Sequence, residues 1–96
     1  KEDAIKAFNE TTAQIKSKTK LDAKELNEIH LITYSLEKAI AYFSANFTGE
    51  QQEIAKKLAV IVEKVHLASE NNKQEECKKH LADYFGLATN FASSLN

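Results

Sequence analysis

Apolar residues return along most of this 96-residue chain at alternating intervals of three and four, the pattern of helices that each turn one face to a core. The clearest run is Leu26, Ile29, Thr33, Leu36, Ile40, Phe43 and Phe47, which reads as a heptad seam. Ile54, Leu58, Ile61, Val65 and Ala68 continue the rule, as do Cys77, Leu81, Tyr84, Ala88, Phe91 and Leu95. Near the start only Ile5, Phe8, Thr12 and Ile15 keep the spacing, a thin stripe that buries little apolar surface.

Helix starts can be placed where a side-chain oxygen is followed three positions later by Glu or Gln, since the pair satisfies orphan backbone donors from both directions. Asp22 with Glu25 predicts a helix to about Asn46, Thr48 with Gln51 one to about Glu70, and Asn72 with Glu75 one reaching Leu95. A shorter segment lies before Lys18. Links of a few residues cannot carry the chain back along a helix, so successive helices run antiparallel. The expectation is one all-α domain over residues 1–96, an up-down-up-down four-helix bundle. The alternative is a three-helix bundle on which the first segment docks only in part.

Composition sharpens this picture. The absence of proline and the presence of only two glycines favour long helices. Thirteen basic residues against fourteen acidic ones leave no basic face for phosphate neutralisation, which argues against a nucleic-acid partner. The longest apolar runs, AIAYF at 39–43 and LAVIV at 58–62, fall well short of the roughly 20 residues that span a bilayer. The chain opens at Lys1 without the charged and apolar regions of a signal peptide, so a processed or trimmed chain is expected, with export compatible. The single Cys77 forms no internal disulfide. Lys56–Lys57 and Lys78–Lys79 read as solvated faces. No Gly-rich phosphate loop or nucleophile elbow is present, and catalysis is not expected.

Candidate chemistry centres on EKVHLASE, residues 63–70, where His66 stands beside an apolar stripe with Glu63 and Glu70 one turn to either side. Residues equidistant from a tight antiparallel turn lie at similar heights. The turn near Thr48 therefore levels His30 with His66, and the turn near Asn71 levels His66 with Cys77. His80 follows Cys77 by about 4.5 Å along the helix axis, and Glu37 lies two turns beyond His30. This layer of imidazole, thiolate and carboxylate suits zinc or copper held between helices 2, 3 and 4. Glu63-x-x-His66 is half of a di-iron motif, but the second pair is missing. A b-type haem with His30 and His66 as axial ligands is a further reading, while covalent c-type attachment has no C-x-x-C-H. Against these stands a structural reading. Both histidines flank a seam and would hydrogen-bond between helices, with Tyr34, Glu37, Glu63 or Glu70 as partners, in a module that docks a protein partner or a second copy. Cys77 would then be a small core residue and His80 a solvated one.

EIHLITYSLEKA, residues 28–39, and EKVHLASE together resemble the two recurring blocks of an uncharacterised family of small exported bacterial helical proteins. The resemblance rests on Glu28, His30, Thr33, Tyr34, Leu36 and Glu37 in the first block, and on Val65, His66, Ala68, Ser69 and Glu70 in the second. It implies a helical domain in the periplasm and supplies no activity, ligand or partner. Cys77 lies outside both blocks, so on this likeness His30, His66, Glu37 and Glu70 lead the candidate site.

Overall fold

The computed structural model describes residues 2–18 and 20–95. They form four helices: α1 (Glu2–Lys16), α2 (Ala23–Asn46), α3 (Gly49–Glu70) and α4 (Gln74–Ser94), with no strand among the described residues. The helices pack into a body of 37 × 20 × 19 Å, little longer than α2 itself at about 1.5 Å per residue. Contacts that span α2 and α3 pair residues at near-equal distances from their turn: the Gln52 amide donates to the Ser44 carbonyl, and His66 meets Thr33 and His30. That pairing is the mark of an antiparallel hairpin. At the same end of the bundle, Gln51 donates to the Ser94 carbonyl and ties the start of α3 to the end of α4.

The thin stripe of α1 is enough to dock it. Phe8 and Ile15 are fully buried, and the Phe8 ring meets Phe43 of α2 and Phe91 of α4 edge-on at centroid distances of 5.8 and 5.5 Å. Phe43 and Phe91 close the trio at 5.1 Å. Truncating a core aromatic of this kind costs about 3–5 kcal/mol. Thr12 adds a polar tie, its hydroxyl 2.6 Å from the buried Tyr84 hydroxyl. The partly docked alternative gives way to a four-helix bundle, in which α1 lies more heavily on α2 than on α4.

Within α2 the heptad positions Leu26 to Phe43 are buried as the periodicity predicts. In α3 the stripe is rotated: Ala55 and Val62 lie in the core, while Ile54 and Ile61 pack from its edge. A helix with neighbours on two sides needs a broader apolar band than a strict two-helix seam.

The helix boundaries fall close to expectation, but only one of the three proposed caps forms. Asp22 accepts from the Glu25 backbone N–H at 2.9 Å. Glu25 does not reach back; it lies 2.7 Å from the Lys18 ammonium, which also bonds Glu28 at 2.6 Å and pins the α1–α2 link. Thr48 occupies the N-cap position of α3 without a side-chain cap bond. It precedes Gly49, whose φ of +62° is the left-handed conformation that glycine adopts without steric cost. Asn72 is not the cap of α4. Its φ is 58°, its N–H bonds the Ser69 carbonyl, and the Lys73 N–H bonds the Ala68 carbonyl at 2.9 Å. Those two bonds make a Schellman motif with Asn72 at the left-handed position after α3, so the residue closes one helix instead of opening the next.

Asn72→Ala is expected to lower unfolding stability by about 1 kcal/mol, because a Cβ disfavours the left-handed region when the local hydrogen bonding of Asn is lost. Asn72→Gly is expected to keep the wild-type urea midpoint or raise it. Equal losses in both variants would show that the side-chain amide, not the backbone conformation, is what matters there.

Candidate functional site

The α2–α3 turn brings His30 and His66 together as the register predicts, their rings meeting edge to face with centroids 4.7 Å apart. Both are half-buried. Tyr34, one turn after His30, lies edge-on to both imidazoles at 5.2 and 5.1 Å while its own residue is 53% exposed. It covers the histidine pair from the solvent side. Its hydroxyl is 3.3 Å from His30 Nε2.

Proton accounting around Thr33 assigns a tautomer to His66. Thr33 is fully buried, and its hydroxyl donates to the His30 carbonyl at 2.6 Å. A hydroxyl has one proton, so toward His66 Nδ1, 3.0 Å away, Thr33 Oγ1 must act as acceptor. Nδ1 therefore carries the hydrogen. Glu37 Oε1, 3.3 Å from the same nitrogen, is its second acceptor. In the neutral ring this leaves the Nε2 lone pair free. A carboxylate and a hydroxyl on one nitrogen with a lone pair on the other is the arrangement that orients metal-binding histidines. Burial pushes the Glu37 carboxyl above its ordinary range; His66 opposes that rise, and a hydrogen bond with Glu63 adds to it.

Glu70 completes the cluster. One ligand atom each from His30, His66 and Glu70 lie within 4.8 Å of one another, the only group of three or more such residues among those described. Tetrahedral donors around zinc stand about 3.3 Å apart, so the three donor atoms would draw closer on binding an ion.

The remaining candidates stand apart from this group. Cys77, which the turn register levels with His66, faces the core, where it is fully buried, and burial alone pushes its thiol up to about 11. Height sets only one coordinate; the direction around the helix separates the two residues. His80 lines a different cleft, with Lys64 and Leu67. Glu63 is exposed and meets Glu37 rather than the imidazoles. Periodicity marks Thr33 only as a seam position, although a hydroxyl in an otherwise apolar buried stripe signals a polar contact in need of a partner. A larger cleft of about 610 Å³ lies between the α1–α2 link and α4, lined in part by Leu21, Lys78 and Phe85, and none of the three histidines reaches it.

A sequence model of one protein family matches residues 2–93. The chain belongs to the DUF6746 family of unknown function. The match spans all four helices, well beyond the central blocks EIHLITYSLEKA and EKVHLASE. No curated protein and no solved structure matches the chain. No helix among the described residues is long and apolar enough to cross a membrane.

The buried thiol yields a pH prediction. A thiol raised from 9.0 to about 11 in the fold stays protonated where the unfolded chain ionises. Its contribution is fully present below pH 9 and is lost as pH rises through about 11. Unfolding midpoints of the wild type are therefore expected to fall more steeply across that window than those of Cys77→Ala. The native thiol is expected to react with a disulfide reagent at neutral pH only as fast as the chain unfolds; immediate labelling would contradict the buried placement.

Proposed function

We propose that this chain is a small metal-binding bundle of the periplasm, in which His30, His66 and Glu70 hold one divalent transition metal between α2 and α3. One observation carries the reading: two imidazoles and a carboxylate converge within 4.8 Å, and the hydrogen bonds of one imidazole leave its Nε2 lone pair free. Glu70, one turn after His66 on α3, brings to the imidazole pair a carboxylate that the Thr33–His66–Glu37 bonds do not use. The likeness to exported helical proteins supports the location.

The donor set narrows the metal. Two neutral nitrogens and one carboxylate suit Zn²⁺ first and Cu²⁺ second; without a thiolate or thioether the site offers little to Cu(I). Haem is a poor fit. An axial pair must hold its nitrogens on opposite faces of a flat macrocycle, whereas these rings touch edge to face. Binding, not turnover, is the role assigned, since the hydroxyl bonded to the His66 ring, that of buried Thr33, gives its proton to the His30 carbonyl and accepts from the ring.

The second reading, a structural or partner-docking module, draws on the Thr33–His66–Glu37 bonds, which tie α2 to α3 without any ion.

Zinc titration with metal analysis separates the two. Near one Zn²⁺ per chain is expected for the wild type and for Cys77→Ala, and none for the His30→Ala/His66→Ala double variant. At a hundredfold excess over Kd the bound metal is expected to raise stability by about 2.7 kcal/mol. Unchanged stoichiometry in the double variant would overturn the proposal, and a wild type that takes up no zinc would favour the structural module.

A further inference from the structure

His30, His66 and Glu70 give three donors, whereas zinc-like ions take four or more. The neighbouring side chains do not supply the fourth. Glu37 is engaged at the Nδ1 edge of His66, the edge turned away from the free lone pair. The Tyr34 hydroxyl is hydrogen-bonded to His30. Cys77 lies in the core and His80 in another cleft. A bound ion would keep an open position.

That position adjoins a built recess. His30 and Glu70, two of the three donors, form part of the wall of a cleft of about 280 Å³ whose other sides are Ala23, Asn27, Ser69 and Asn72. The volume lies at the lower edge of the range for small-molecule sites. Ser69 gives its proton to the His66 carbonyl, which leaves it only acceptor capacity. The side-chain amides of Asn27 and Asn72 have no hydrogen-bond partner among the described residues, and both can donate. No cation lines the cleft, so it has no charge of its own with which to gather an anion. A divalent ion would change that. With two neutral imidazoles and one carboxylate it carries a net +1, which one monoanionic oxygen donor neutralises.

We infer that the metal site takes a small carboxylate from solution, one oxygen bound to the ion and the other hydrogen-bonded by the Asn27 and Asn72 amides. The inference rests on the metal reading above and deepens it: the bundle presents its ion to a small acid instead of sealing it as a structural zinc is sealed. The Schellman turn contributes directly, because the residue at its left-handed position, Asn72, lines the cleft together with Glu70.

Cobalt(II) is the probe, since its visible bands report coordination. The full chain is loaded with Co²⁺ and titrated with sodium acetate. The expected result is one Co²⁺ per chain and a saturable change in the visible bands. Asn27→Ala and Asn72→Gly are each expected to weaken acetate binding roughly three- to tenfold, the loss of one hydrogen bond, with Co²⁺ uptake read separately in each. Bands indifferent to acetate in Co²⁺-loaded protein would overturn the carboxylate site while leaving the metal site standing. Equal acetate affinity in both variants and wild type would overturn the role of the cleft. Failure to bind Co²⁺ at all would instead strike the metal reading, so the two failures are distinct.

Discussion

The antiparallel register of α2 on α3 is the constraint from which the candidate chemistry follows. Only Phe47 and Thr48 separate the two helices, and the positive φ of Gly49 lets the backbone reverse within that span. A link so short leaves no freedom to slide one helix along the other by a turn. His30 therefore faces His66, and Thr33 lies close enough to bond with it. Lengthening the link would allow other registers and dissolve the cluster without touching any residue in it.

The same hairpin separates two kinds of polar residue. Thr33 is buried, and its hydroxyl has a donor bond and an acceptor bond within the fold, so it stabilises the packed state while setting the orientation of His66. Glu70, Asn27 and Asn72 are exposed and are not held in place by the core. Rigidity thus lies on the inner side of the imidazole pair and adaptability on the outer side. An ion site needs both: oriented nitrogens at fixed positions, and a carboxylate able to move the last ångström.

Much of the architecture was legible in the sequence because helical periodicity is a local signal. The α2 seam, the level pairing of His30 with His66 and the Asp22 cap all follow from spacing alone. The discrepancies arise where a second helix or an adjoining turn decides. Asn72 with Glu75 has the spelling of a capping box, yet the C-terminus of α3 takes Asn72 first for its left-handed closure. The α3 stripe turns toward Ala55 and Val62 because α4 presses from the side that a two-helix seam ignores. Register levels Cys77 with His66, but the thiol is buried in the core, where periodicity had already placed it. For the site, the histidines were legible from register. The tautomer that makes one of them a prepared ligand was not, because it depends on where a single threonine proton goes.

The hydrogen bond between Thr12 and Tyr84 bears on how the molecule comes apart. Tyr84 is an interior residue whose hydroxyl has its partner on α1, and burial holds that phenol well above its ordinary pKa. If α1 lifted away alone, the hydroxyl would lose its partner and Phe43 and Phe91 would lose the Phe8 ring packed edge-on against both. Fraying of the first helix is therefore coupled to loosening of the last. Because α1 lies more heavily on α2 than on α4, the same departure would open the α2 face around Phe43, so loss of the first helix unsettles the whole core and not the last helix alone.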